Sequence, residues 1–82
     1  MITEKELKQI EQRLNQAQAG PWKAFIEGRD HESGSDFIMT GEEEQKGEIE
    51  MIGATIADYD FIAHARQDIP RLINEIRELK NK

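Results

Sequence analysis

The 82-residue chain has no cysteine, only two prolines, one tryptophan and no long apolar run. Without thiols there is neither a disulfide framework nor a thiolate metal site to brace a small core, and the composition suits a reducing compartment. A bilayer span needs about 20 consecutive apolar residues. The opening stretch, Met1 to Lys8, mixes charges where a secretory signal has an unbroken apolar segment. The expectation is a cytoplasmic protein, neither exported nor embedded, with no membrane partner. Basic residues are scarce where acids are dense. Residues 1–21 and 55–82 each balance their charges, whereas residues 22–54 set Lys23, Arg29 and Lys46 against nine acids and hold the whole net charge of −6. A nucleic-acid surface needs a basic patch that neutralises several phosphates, so no nucleic-acid partner is expected.

What is present fits one small domain, residues 1–82, able to bury roughly 60–65% of the surface its unfolded chain exposes. Thr3 with Glu6 forms a capping box. Leu7, Ile10, Leu14 and Ala17 then recur on one helical stripe, predicting a helix over residues 3–18 that ends at Gly20-Pro21 with glycine as a left-handed cap. After Pro21 the period becomes two, giving a strand from Trp22 to Glu27. Phe37–Thr40 and Glu48–Met51 read as second and third strands, and glycine-bounded polar loops between them favour an antiparallel meander. Thr55 with Asp58 caps a last helix whose apolar side is Ile56, Phe61, Ile62 and Ala65. Asp68-Ile69-Pro70 marks a restart, and Ile69, Leu72, Ile73, Ile76 and Leu79 continue the stripe. The fold class is therefore α+β: a helix, a three-stranded antiparallel meander, and a C-terminal helix broken or kinked near Pro70.

Alternation assigns Trp22, Ala24, Ile26, Phe37 and Met39, with Ile49 and Met51, to one sheet face if the registers align. The other face then receives Phe25, Ile38 and Ile52, an apolar stripe in need of cover. The core is expected to contain Trp22, Phe37, Met51, Phe61 and Ile73. Two helical elements cannot cover both sheet faces well, so a homodimer is the economical resolution. Its surface falls on Phe25, Ile38, Ile52, Leu72, Ile76 and Leu79.

Candidate chemistry is thin. His31 with Asp30, Glu32 and Asp36 matches no metal-ligand spacing, and the plain reading is an acidic hairpin loop. His64 lies one helical turn from Asp60 and Asp68, but no nucleophile accompanies it. Arg66 and Arg71 flank Asp68 and read as surface pairs with Asp68 and Glu75. Trp22 reads as the closure of one end of the core. No catalytic residue, cofactor or metal is assigned. Glu42-Glu43-Glu44 reads as a solubilising turn, with DNA mimicry as the alternative use.

Two segments resemble the Ead-like family of small phage and prophage proteins. One is Ala19-Gly20-Pro21-Trp22, closing the first helix. The other runs from Ala57 through Asp58-Tyr59-Asp60-Phe61-Ile62-Ala63-His64-Ala65-Arg66 to Asp68-Ile69-Pro70 and a Leu/Ile-rich helix. The resemblance implies a phage or prophage setting, an intracellular location and no enzyme activity. The function expected is that of a non-enzymatic accessory protein working through protein–protein contact as a homodimer, with a host protein as further partner. The alternative is an acidic DNA-mimicking inhibitor of a host DNA-binding protein.

Overall fold

Both helices begin where the sequence caps them. In a computed structural model describing residues 1–42 and 46–82, α1 spans Glu4–Gln16, β1 Trp22–Phe25, β2 Phe37–Thr40, β3 Gly47–Ile49 and α2 Ile56–Lys80. The Thr3 hydroxyl accepts from the Glu6 amide at 3.1 Å, and the Glu6 carboxylate accepts from the Thr3 amide at 3.0 Å. Thr55 and Asp58 repeat the reciprocal pair at 3.1 and 2.9 Å. Each box satisfies two amides that have no partner inside a first turn. Helix α1 stops at Gln16, before the glycine. Its C-cap, Ala17, is extended, and Gly20 is not left-handed, so the expected glycine cap does not form.

Of the two readings of the C-terminal region, the single helix holds. Helix α2 runs 25 residues through Pro70 without interruption. Pro70 removes one donor, the one that would meet the Arg66 carbonyl. Before that point α2 is held by the sheet, and α1 lies along it on both sides, from Ile62 to Arg77. The Asp68-Ile69-Pro70 restart is therefore absent, and Asp68 caps nothing.

The strands form an antiparallel sheet in the order β1-β2-β3. Its register places Ala24 opposite Ile38 and Ile38 opposite Ile49, with Phe25 opposite Phe37 and Lys23 opposite Met39. Directly paired residues share a face. The face turned to α2 thus carries Trp22, Ala24, Ile38, Thr40 and Ile49, while Phe25, Phe37 and Met39 lie on the other. The expected grouping was one residue out of phase in β2, and such a slip reverses every side chain of that strand. Ile38, expected on the open face, is 0% exposed and sits in the core with Ala24, Ile26, Tyr59 and Ala63.

The helices do not divide between the sheet faces. Helix α2 packs on β1 and β2, and α1 packs on α2. Arg77 pairs with Glu4 and Glu11, Lys80 reaches the Ile2 carbonyl, and Arg66 reaches the Gln18 carbonyl. These contacts make α1 antiparallel to α2. Helix α2 is thus a spine, its first half packed on the sheet and its second on α1, which also reaches back to Ile62 and Ala65; Leu7 and Ile73 are buried. The molecule is accordingly elongated, 48 × 27 × 20 Å.

The outer sheet face is covered from within. The Phe25 and Phe37 rings stack at 5.5 Å and 8°, the His31 ring lies 5.1 Å from Phe37, and Lys23 Nζ stands 5.2 Å over Phe25. Phe37 is buried by this local cluster rather than by a helix.

Candidate functional site

The acidic segment between β1 and β2 is spent on its own backbone. Asp30 accepts from the Ile26 amide at 2.8 Å, Asp36 from the Glu27 amide at 2.8 Å, and Glu27 from the Gly34 amide at 2.7 Å. The Ser33 amide donates to His31 Nδ1 at 3.0 Å. A tight polar loop has more amides than carbonyls placed to receive them, and short carboxylates close the deficit. The Ile26 amide, followed by Arg29, holds the Asp30 carboxyl below the usual range. Among the described residues no three His, Cys, Asp or Glu side chains converge as a metal site.

A charged cleft lies where this loop meets α2, lined by Trp22, Lys23, Arg29, Asp30, Asp60 and His64. Arg29 forks onto Asp60 with two bonds of 2.9 Å and also touches Asp30 at 3.0 Å. The fork lowers the Asp60 carboxyl and raises the Arg29 guanidinium. Its charges satisfy one another and clamp the loop to the helix. Asp60 is therefore occupied by Arg29, and His64 stands exposed beside it. Nothing in the sequence linked Arg29 to a residue 31 positions away. Arg66 bonds the Gln18 carbonyl at 3.1 Å rather than Asp68, and no ion pair joins Arg71 to Asp68 or Glu75 among the described residues.

Two closures were invisible to periodicity. The Gln67 amide clamps the edge of β1, accepting from the Trp22 amide at 2.8 Å and donating to the Trp22 carbonyl at 3.1 Å. The Tyr59 hydroxyl accepts from the Met51 amide at 2.9 Å and lies 3.2 Å from the Asp36 and Met51 carbonyls. Tyr59 is 3% exposed and anchors the core, whereas Phe61 is 75% exposed and does not belong to it. The helix phase set by Tyr59 and Ala63 points Phe61 away from the sheet. Trp22 is half-buried, its Nε1 donating to the Gln18 and Ala19 carbonyls at 3.1 and 3.2 Å, which closes the turn after α1.

The six residues expected to form an interaction surface are scattered. Ile38 is in the core, Phe25 is in the outer aromatic cluster, and Ile52 is fully exposed in the turn after β3. Leu72, Ile76 and Leu79 do come together on α2, with Leu72 and Leu79 each 60% exposed. Leu72 stands among Asp68, Arg71 and Glu75, while Ile76 and Leu79 line the second of two apolar clefts along the helical hairpin. The first, of about 300 Å³, lies between α1 and α2 and is lined by Ile10, Leu14, Ala17, Ile62, Ala65 and Ile69. The other joins Ile2, Ile76 and Leu79. The α1 side of this face was missed as a surface because its residues also serve as the stripe that packs α1. Glu42 is exposed, while Glu43 and Glu44, the rest of the acidic run considered for DNA mimicry, lie outside the described residues.

Among the described residues, no helix is long and apolar enough to cross a membrane. Comparison with known protein families, with curated proteins and with solved structures finds no match.

Proposed function

We propose that this chain is a non-enzymatic accessory protein of phage or prophage type, acting through protein–protein contact as a homodimer. The observation that carries the reading is the open apolar face of the α1/α2 hairpin, where Ile69 lines the cleft between the helices and Leu72 and Leu79 stand exposed further along α2. Apolar residues scattered singly on a surface need no explanation, but a contiguous row beside an apolar cleft marks a contact surface. The charged groups elsewhere support the same view, because Arg29, Asp30 and Asp60 are paired with one another and serve to hold the loop. Sedimentation equilibrium of the full chain at micromolar concentration tests the reading. A dimer mass is expected, and a single species at monomer mass overturns the homodimer.

A further inference from the structure

We infer that the dimer contact is the open face of the helical hairpin, two copies packing face to face with α1 of each over α2 of the other. The inference rests on the homodimer reading and adds the surface, the partner and the arrangement.

The first argument is the width of the apolar arc on α2. A helix turns about 100° per residue. On that spacing Tyr59, Ala63, Pro70, Ile73 and Arg77 fall within about 80°, and this arc is covered by the sheet and by α1. Ala65, Ile69, Leu72, Ile76 and Leu79 fall in a second arc of similar width, centred about 120° further round. They recur at spacings of 4, 3, 4 and 3, with isoleucine and leucine alternating from Ile69 onward. That pattern suits packing against another helix rather than lone exposure. Helix α1 and Ile2 reach only part of the second arc, at Ala65, Ile69, Ile76 and Leu79, and among the described residues Leu72 and Leu79 stay 60% exposed.

Helix α1 opens the same way. Glu4 and Glu11 reach Arg77 on one side of the hairpin. On helical spacing Ile10 and Ala17 lie on the opposite side, where they line the cleft with Ala65 and Ile69. The face runs some 25 Å from Ile62 to Leu79 and is two helices, about 20 Å, wide. That is a flat footprint of about 500 Å² per subunit, or about 1,000 Å² for the pair, at the lower end for a specific contact. A micromolar dimer is therefore expected.

Charge selects the arrangement. Arg13 borders the face on α1, and Asp68 and Glu75 border it on α2. All three side chains are exposed and lack a hydrogen-bond or ion-pair partner among the described residues. Gln18 lies beside Arg66 and Ile2 beside Lys80, so Arg13 stands level with the Asp68–Leu72 turn. Two-fold packing of hairpins has two solutions. An axis across the helices lays α2 on α2 and brings Asp68 against Glu75 twice, an unfavourable meeting of like charges. An axis along the helices lays α1 over the neighbouring α2 and brings Arg13 to the partner subunit's Asp68. The second solution pairs opposite charges and leaves both sheets outside, at the same end of a four-helix bundle.

The test combines association with site-specific linkage. Leu72→Glu should weaken the dimer about tenfold or more by burying a charge in the contact, with far-UV circular dichroism confirming retained helix and Leu79→Glu as a second variant. The chain has no cysteine, so Arg13→Cys and Asp68→Cys variants can be mixed and treated with a short bismaleimide. A 13–68 intersubunit link together with loss of the dimer in Leu72→Glu is the expected result. A dimer that survives both face variants overturns the inference while leaving the homodimer reading intact. Preferential linkage of Asp68→Cys to Glu75→Cys overturns the arrangement. A parent chain that is monomeric throughout removes both the inference and the homodimer.

Discussion

Removing one oxygen, in Tyr59→Phe, tests how the small core is closed. The ring is almost fully buried, and its hydroxyl is the acceptor for the Met51 amide at 2.9 Å. The hydroxyl has one proton to give and two carbonyls, of Asp36 and Met51, each at 3.2 Å. Phenylalanine keeps the packing but strands the Met51 amide and withdraws the donor. Each lost hydrogen bond costs about 1 kcal/mol net, and a part-buried unsatisfied donor adds to it, for about 2–3 kcal/mol in total. In a domain of this size 1 kcal/mol moves Tm by roughly 4–8 °C, so a fall of about 10–20 °C is expected. Melts followed by circular dichroism, at one fixed protein concentration because association also shifts Tm, give the value directly. Phe61→Ala is the matched control. At 75% exposure its change should stay within about 0.5 kcal/mol, whereas a core phenylalanine would lose about 3–5 kcal/mol. A shift under about 3 °C for Tyr59→Phe, or a larger one for Phe61→Ala, would refute the assigned helix phase.

Gly47→Ala should destabilise by about 1–3 kcal/mol through overpacking, because its Cβ would stand 2.5 Å from Gln18 Oε1 and 2.7 Å from the buried Thr40 hydroxyl. A urea midpoint equal to the parent's would mean that both side chains move aside freely. Gln67→Leu should lower Tm by removing both bonds to the Trp22 backbone, and faster amide exchange at Trp22 is the local check. Stability should fall in acid. Glu11 is held below its ordinary 4.5 by Arg77, and Asp60 below its ordinary 3.8 by Arg29. A depressed carboxylate stabilises above its unfolded pKa and loses that contribution as pH falls through its folded value. Tm should therefore be level near neutrality and drop below about pH 4.5, less steeply for Glu11→Gln; a profile flat to about pH 3 would contradict the pairing.

Helix starts, strand existence and element order were legible because they are local. Thr3 with Glu6 and Thr55 with Asp58 each lie within one turn of the groups they satisfy, and the change of period from four or three to two after Pro21 needs no tertiary partner. Spacing alone also puts Leu72, Ile76 and Leu79 on one side of α2, where Leu72 and Leu79 stay exposed.

Three things were decided only in the folded chain. Alternation in β2 says that Phe37 and Ile38 face opposite ways, but which one meets α2 depends on pairing with Ala24 and Ile49, and a one-residue change exchanges them. Likewise the periodic residues of α2 span more arc than one neighbour can cover, so Tyr59 rather than Phe61 became the core anchor when the sheet took its side of the helix. Gln67 with Trp22 and Arg29 with Asp60 join residues 45 and 31 positions apart. By itself the sequence determined which segments are helix and strand and how much apolar surface each carries, since propensity and capping act within a few residues. The tertiary structure decided which part of that surface is used up inside the subunit and which part is left on the hairpin, since burial depends on segments that meet only after the chain has closed.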